Sequence, residues 1–397
     1  MIGLALARTR SEAFRRTLGY YSLFICLGLS TAVIGPTLPS LAAQTHTRLG
    51  SMGLMFLFGS AGYTLGTIIG GRILDRVRGH PVLGIAQLCA GVSIFFIPTA
   101  PWFWLLLAIV AFKGFAEGFV NTGANLLLTW THGEKVSPYM NGLHFFFGLG
   151  AVGAPLLVAQ GAGIATGYRW VYWALTAFML LVGVRMLTLP GSPRPVSQSE
   201  GKKVEFTNIR KFYLLVGMAA LLLFFYVGAE ITFGGWVYTY AVTLHLASAA
   251  GAAYLNSGFW LAFTLGRLLS IPAATRFTPR QILPVVLIAC LFFLATGLLF
   301  PGSRTILWVM TLGLGFCMAP VWPTGFTLAG QSIPVTGRIS GMVLLGDSFG
   351  GMVLPWLVGQ VIGSAGPAVM VPLIFGSLAL CFLAVLILLR LGLKKAG

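Results

Sequence analysis

Stretches such as LLLAIVAF (105–112) and LIACLFFLATGLLF (287–300) run apolar with no alternation of polar side chains. In lipid a backbone must satisfy its own hydrogen bonds, which leaves only helices and closed barrels. Barrel strands alternate apolar and polar over about 10 residues, so these runs are helices. Composition agrees: 57% of the 397 residues are hydrophobic and 8% are charged, where a water-soluble fold carries about 25% charged residues. The expected fold is an all-α membrane protein.

Twelve stretches approach the ~20 residues that cross a bilayer. They cover approximately 17–43, 49–73, 81–99, 102–130, 137–162, 169–189, 210–243, 248–275, 280–300, 303–332, 336–363 and 367–392. The first is too long to be the apolar core of a cleaved signal peptide. The net charge of +17 would suit a nucleic-acid partner, but its distribution points to a bilayer. Of 25 lysines and arginines, 20 lie in the amino end, the loops after even-numbered spans, the central segment and the tail; three (Arg48, Arg169, Arg304) lie in the opposite loops. That is the positive-inside bias, and it predicts a multi-pass protein of the cell membrane with both termini cytoplasmic. The five cysteines fall in or near apolar spans with no CxxC spacing. They read as small buried side chains, not disulfides or metal ligands.

The chain is written twice. PGSPRPVSQSEGKKVEF (190–206) is the one long polar, Pro- and Ser-rich stretch, a linker between six spans and six. At an offset of 200 residues, TLG at 64–66 meets TLG at 264–266, Arg76 meets Arg276, and Gly28 and Gly35 meet Gly228 and Gly235. Pro155, Leu157, Val158 and Gln160 meet Pro355, Leu357, Val358 and Gln360. The expected domains are 1–189, a cytoplasmic linker 190–209, and 210–397. Two six-helix bundles in parallel pseudo-repeat are the major facilitator architecture, with solute near the midplane between the halves. The loop GGRILDRVRGH (70–80) resembles that family's loop motif, with Gly71, Asp75 and Arg76 in place and the second glycine displaced to Gly79. The resemblance implies a conformational latch at Asp75 and Arg76.

Of eight acids, three lie inside spans: Glu117, Glu230 and Asp347. Glu117 is about 22 Å along a long helix, and Asp347 about 16 Å from its inner end. At such depths acids mark ion or solute paths, so these three are the candidates for ion coupling. Glu230 sits in LLLFFYVGAEITFGGWVYTY with no cation in the window, where an ionised, unpartnered carboxylate costs several kcal/mol. Lys113 or Arg267 from another helix is a candidate partner for it, and direct binding of sugar hydroxyls is a further role. Gly234 and Gly235 are expected to loosen the helix beyond it. Lys113, Glu117, Asn121 and Asn125 recur every four residues, a polar stripe on one helical face. Lys113 and Glu117 are placed to pair, and the pair is either structural or functional. The amides suit hydroxyl groups. His144, Trp236 and Trp322 join Asn121, Asn125 and Glu230 as candidate solute contacts. Pro320 and Pro323 free backbone carbonyls and bend span 10.

The series NTGANLLL, LHFFFGLGAVGAPLL, YVGAEITFGGWVYTY, APVWPTGF and GDSFGGMVLPWLVGQ resembles the fucose permease-like sugar transporters, and within them the sodium-dependent glucose transporter branch. The resemblance implies a sugar substrate and coupling to H+ or Na+. Relatives carry an acid before the Thr of TGAN, where this chain has Asn121, and fucose permease-like members have an acid in span 1, where it has none. Coupling then falls to Glu117, Glu230 or Asp347, or is absent.

The expected function is a secondary active transporter for a sugar or sugar-like polar solute, working by alternating access as a monomer. The alternatives are a major facilitator exporter of lipophilic or cationic compounds and a non-transporting receptor or scaffold. No nucleotide-binding GxxxxGK[ST], HExxH or nucleophile–His–acid spacing occurs, so no enzyme, cofactor or resident metal is expected, with Na+ as a transported ion whose ligands are open.

Overall fold

The computed structural model describes residues 2–161, 167–189, 191–193, 209–332 and 337–392. Among these residues there are helices and turns and no strand. The first half contains α1 (Ile2–Ala32), α2 (Ile34–Gln44), α3 (Gly53–Leu74), α4 (Gly79–Phe96), α5 (Phe103–His132), α6 (Val136–Gly161) and α7 (Arg169–Leu187). The second contains α8 (Ile209–Thr243), α9 (Ala249–Arg276), α10 (Pro279–Leu299), α11 (Arg304–Met318), α12 (Val321–Ser332), α13 (Gly337–Ala365) and α14 (Met370–Gly392).

Among the described residues, nine helical stretches are long and apolar enough to cross a membrane, ten with the bent α1–α2 pair taken as one. One of them, Phe103–Gly161, holds both α5 and α6. They are separated by a turn at Gly133, whose φ of +54° lies in the left-handed region open to glycine. The remaining long helix is α9, whose 28 residues include Asn256, Arg267 and Arg276. With α5 and α6 taken apart and α9 added, the described residues hold twelve helical segments long enough to cross a membrane.

Two spans are interrupted, each at proline. α1 and α2 meet at 48° around Val33, where Pro36 offers no N–H to the Ala32 carbonyl. α11 and α12 are separated by Ala319 and Pro320 within one span, as the proline pair there leads one to expect.

The chain forms two compact units, residues 1–47 with 58–198 and residues 48–57 with 199–397. In the first, α1 lies on α6, and a Cβ at Gly150 would fall into the Ile25 carbonyl. In the second, α8 lies on α13, and a Cβ at Gly350 would fall into the Phe224 carbonyl. Glycines 200 positions apart thus make the same helix–helix approach, so the sequence repeat is also a repeat of packing. Residues 48–57 pack with the second unit: Gly50 lies on Gly359 and Gly53 on Trp356. Neither approach was expected from the span pattern.

Most of the linker lies outside the described residues, but its start is tied to the first unit. Ser192 Oγ accepts from the backbone N–H of Gly79 (2.9 Å) and His80 (3.3 Å), two of the donors at the start of α4. His80, expected near a loop, is 1% exposed. Its Nε2 meets Tyr20 Oη at 2.8 Å and its Nδ1 meets the Leu189 carbonyl at 3.3 Å. These contacts assign the Nδ1–H tautomer, with Tyr20 donating to Nε2.

The expected loosening at Gly234 and Gly235 is not found, for α8 is unbroken from Ile209 to Thr243. These glycines serve close approach instead. A Cβ at Gly234 would lie 2.8 Å from Trp260 Cζ2, and one at Gly235 2.5 Å from Phe56 Cζ. Asn256 Nδ2 also donates to the Gly234 carbonyl at 2.6 Å, pinning the backbone where a hinge was expected.

Candidate functional site

The first unit carries the α5 stripe. Lys113 Nζ donates to Glu117 Oε2 at 2.8 Å, one helical turn apart, and both residues are 6% exposed. The pair is therefore closed, with Glu117 Oε1 buried and without a hydrogen-bond partner among the described residues. Gly114 and Gly118, each next in sequence to a member of the pair, press on the carbonyls of Gly59 and Tyr63 of α3.

One turn further on the stripe opens. Asn121 and Asn125 are half-buried. Asn125 Nδ2 donates back to the Asn121 carbonyl at 2.8 Å and approaches Asn121 Oδ1 at 3.4 Å. This back-bond orients Asn125 and uses one of its donors. His144, on α6, is half-buried and meets Phe24 of α1 edge-on at 5.6 Å. Tyr21 stacks on Phe146 at 4.7 Å on the same pair of helices.

The second unit carries the other acids. Glu230 is half-buried on α8, within hydrogen-bonding reach of the Tyr226 hydroxyl and near Arg267 of α9. It makes no ion pair among the described residues, where the pairs are Arg16–Glu12 and Lys113–Glu117. Neither cation considered as a partner closes an ion pair with Glu230. Lys113 is held by Glu117, and the Arg267 guanidinium lies 4.7 Å over the Phe263 ring. Asp347 of α13 is close enough to feel the charge of Glu230 and within hydrogen-bonding reach of Trp322. Trp322, half-buried on α12, stacks on Phe326 at 5.5 Å and 3°. Glu230, Arg267, Asp347 and Trp322 therefore form one polar cluster from α8, α9, α12 and α13.

Trp236 does not belong with them. It is fully enclosed, its Nε1–H donates to the Pro355 carbonyl at 3.1 Å, and Gly359 lies against its ring. With its surface covered and its one donor taken, it has nothing to offer a solute in this structure. Asp75 and Arg76 are exposed in the turn after α3 and make no ion pair among the described residues.

One residue beside the second cluster, Tyr226, was not singled out from the sequence. Tyr226 is the residue one turn before Glu230, a spacing readable as a shared helical face. Arg267 was named as a candidate partner of Glu230, and its cation–π contact with Phe263 follows the same four-residue rule. No group of three metal-ligating side chains occurs among the described residues.

A helical membrane protein built twice from six spans, with carboxylates and amides held inside those spans, is a solute carrier in design. The model of the Major Facilitator Superfamily matches residues 20–355, and the chain belongs to that family. It is 30% identical over 380 residues to sodium-dependent glucose transporter 1A of Mus musculus, covering 86% of this chain and 88% of that protein. It is 29% identical over 374 residues to the Homo sapiens sodium-dependent glucose transporter 1, covering 86% and 72%. Among solved structures, a D-xylose–proton symporter superposes with a TM-score of 0.76 at 14% identity, covering 95% of this chain and 97% of that one. The nucleoside transporter NupG superposes with a TM-score of 0.70 at 14% identity, covering 96% and 99%. At such identities these two establish the fold.

Proposed function

We propose that this protein is a secondary transporter that carries a sugar or sugar-like polar solute by alternating access, coupled to H+ or Na+. The observation that carries the reading is the pair of in-span carboxylates, Glu230 and Asp347, near one another and outside any ion pair among the described residues. Acids inside spans are retained at a cost and mark ion or solute paths. The relatives named as sodium-dependent glucose transporters, matched over most of their length, support a sugar and a cation as the cargo. The test is uptake of D-glucose into proteoliposomes of the purified chain with an imposed Na+ gradient, an imposed pH gradient, or neither. Accumulation above equilibrium with one gradient identifies the coupling ion; no uptake under any condition removes glucose as the solute.

In this reading Asn121, Asn125 and His144 offer hydrogen bonds to solute hydroxyls, and Trp322 offers a ring face. Asn121→Ala is expected to weaken binding by about 1–3 kcal/mol, the cost of leaving a polar partner unsatisfied. Titration of D-glucose against intrinsic tryptophan fluorescence reads this, and unchanged affinity removes Asn121 from the site. Asp75 and Arg76 act as a latch at the cytoplasmic side, and the protein works as a monomer in the cell membrane with both termini inside. Arg194→Cys and Lys202→Cys should then be protected from an impermeant thiol reagent in intact cells; labelling of either reverses the topology.

A further inference from the structure

Tyr226 and Glu230 stand four residues apart on α8, so they leave the same face of the helix. Tyr226 is fully enclosed. Its hydroxyl donates to the Met318 carbonyl at 2.8 Å, and the Glu230 carboxyl lies within reach of the same hydroxyl. A phenol has one proton to donate and lone pairs with which to accept. It can hold the Met318 carbonyl while accepting from a protonated Glu230. It cannot donate to the Met318 carbonyl and to an ionised Glu230 at once.

The position of Met318 gives this choice a consequence. Met318 is the last residue of α11, and the last carbonyls of a helix have no helical donor. Pro320 and Pro323 bring no N–H to the junction that follows. α12 starts at Val321, and its second residue, Trp322, reaches Asp347. The Tyr226 hydroxyl is thus a tie between α8 and a junction short of backbone donors.

We propose that Tyr226 is a positioning residue that links the proton on Glu230 to the junction between α11 and α12. With Glu230 protonated, its O–H donates to the Tyr226 oxygen and the Tyr226 O–H holds the Met318 carbonyl. When Glu230 releases its proton to water, the carboxylate takes the Tyr226 O–H, and the Met318 carbonyl loses its donor. One proton leaves; the phenol keeps its own and turns it from one acceptor to the other. The junction is then free to move, carrying Trp322 relative to Asp347. The other groups facing this switch are Arg267 of α9 and Asp347 of α13, with Cys290 of α10 beside Tyr226. The charges of Arg267 and Asp347 bear on the pH at which it turns.

The inference rests on the reading of Glu230 as a carboxylate that gains and loses a proton. It is tested without solute, by hydrogen–deuterium exchange of the full chain in lipid nanodiscs at low and high pH, corrected for the chemical exchange rate. In the wild type, amides of residues 321–326 should exchange about fivefold faster at high pH, the population shift of a single hydrogen bond. Tyr226→Phe should be fast at both pH values. Glu230→Gln should be slow at both, because its amide N–H still donates to the Tyr226 oxygen. A wild type without the response, or a Tyr226→Phe chain that keeps it, overturns the proposal. Should Tyr226→Phe fail to fold, Glu230→Gln decides: a response that persists there overturns it equally. Loss of the response in Glu230→Gln with concentrative uptake intact keeps the link and retires Glu230 from coupling. A normal response in Tyr226→Phe with uptake uncoupled in Glu230→Gln does the reverse.

Discussion

Glu230→Gln is expected to abolish concentrative uptake and leave downhill exchange running. The amide keeps the volume of the carboxyl and its contact with Tyr226, so α8 packs as before. What it loses is the ability to change charge. A carrier that moves a proton or cation with its solute needs a group whose charge state differs between the inward and outward states, because only differential binding shifts that equilibrium. In proteoliposomes with an imposed gradient, wild-type accumulation should rise by about tenfold per pH unit, or per tenfold ratio of Na+, for one ion per solute. In Glu230→Gln it should fall to the equilibrium ratio, while exchange of labelled for unlabelled solute continues. Equal loss of both activities would move Glu230 to solute binding or packing, and unchanged accumulation would take it out of the mechanism. Asp347→Asn is the matched comparison, since the two carboxylates lie in one cluster.

The membrane fold was legible because it rests on composition and period. Low charge and unalternating runs dictate helices in lipid, and the 200-residue offset in TLG and in the Pro-Leu-Val-Gln pattern announces two like halves. The Lys113–Glu117 pair was legible for the same reason, since a four-residue spacing on a helix is itself a contact. What stayed hidden depends on which neighbour a helix meets. Gly234 and Gly235 read as a loose point because two adjacent glycines weaken an isolated helix. In the fold, Trp260 and Phe56 lie on them, and the absence of Cβ tightens the packing. Trp236 looked as available as Trp322, for nothing local distinguishes an indole whose N–H finds the Pro355 carbonyl 119 residues away. His80 looked like a loop residue until Tyr20 and Leu189 closed on it. The second-unit cluster was half visible: its acids stood out by depth, but their assembly across four helices is tertiary.

Lys113→Met should be the most destabilising of the single substitutions considered. The Lys113 ammonium is the hydrogen-bond partner of a carboxylate that is 6% exposed and already has one oxygen without a partner. Removing one member of such a pair strands the other charge, at a cost of about 3–5 kcal/mol. Lys113→Met combined with Glu117→Leu removes both charges and fills similar volume, so it should recover most of that loss, because a buried pair is often worth little more than an apolar replacement. Thermal unfolding of the purified chain measures the two variants, and recovery in the double variant is the expected result. Its absence would mean that neighbouring polar groups depend on the pair. Uptake by the double variant then separates the two roles left open for Glu117. Concentrative uptake retained in a stable double variant makes the pair a structural filler between α5 and its neighbours. A stable double variant that exchanges solute but no longer accumulates it makes Glu117 a second coupling carboxylate, held by Lys113 until an ion takes its place.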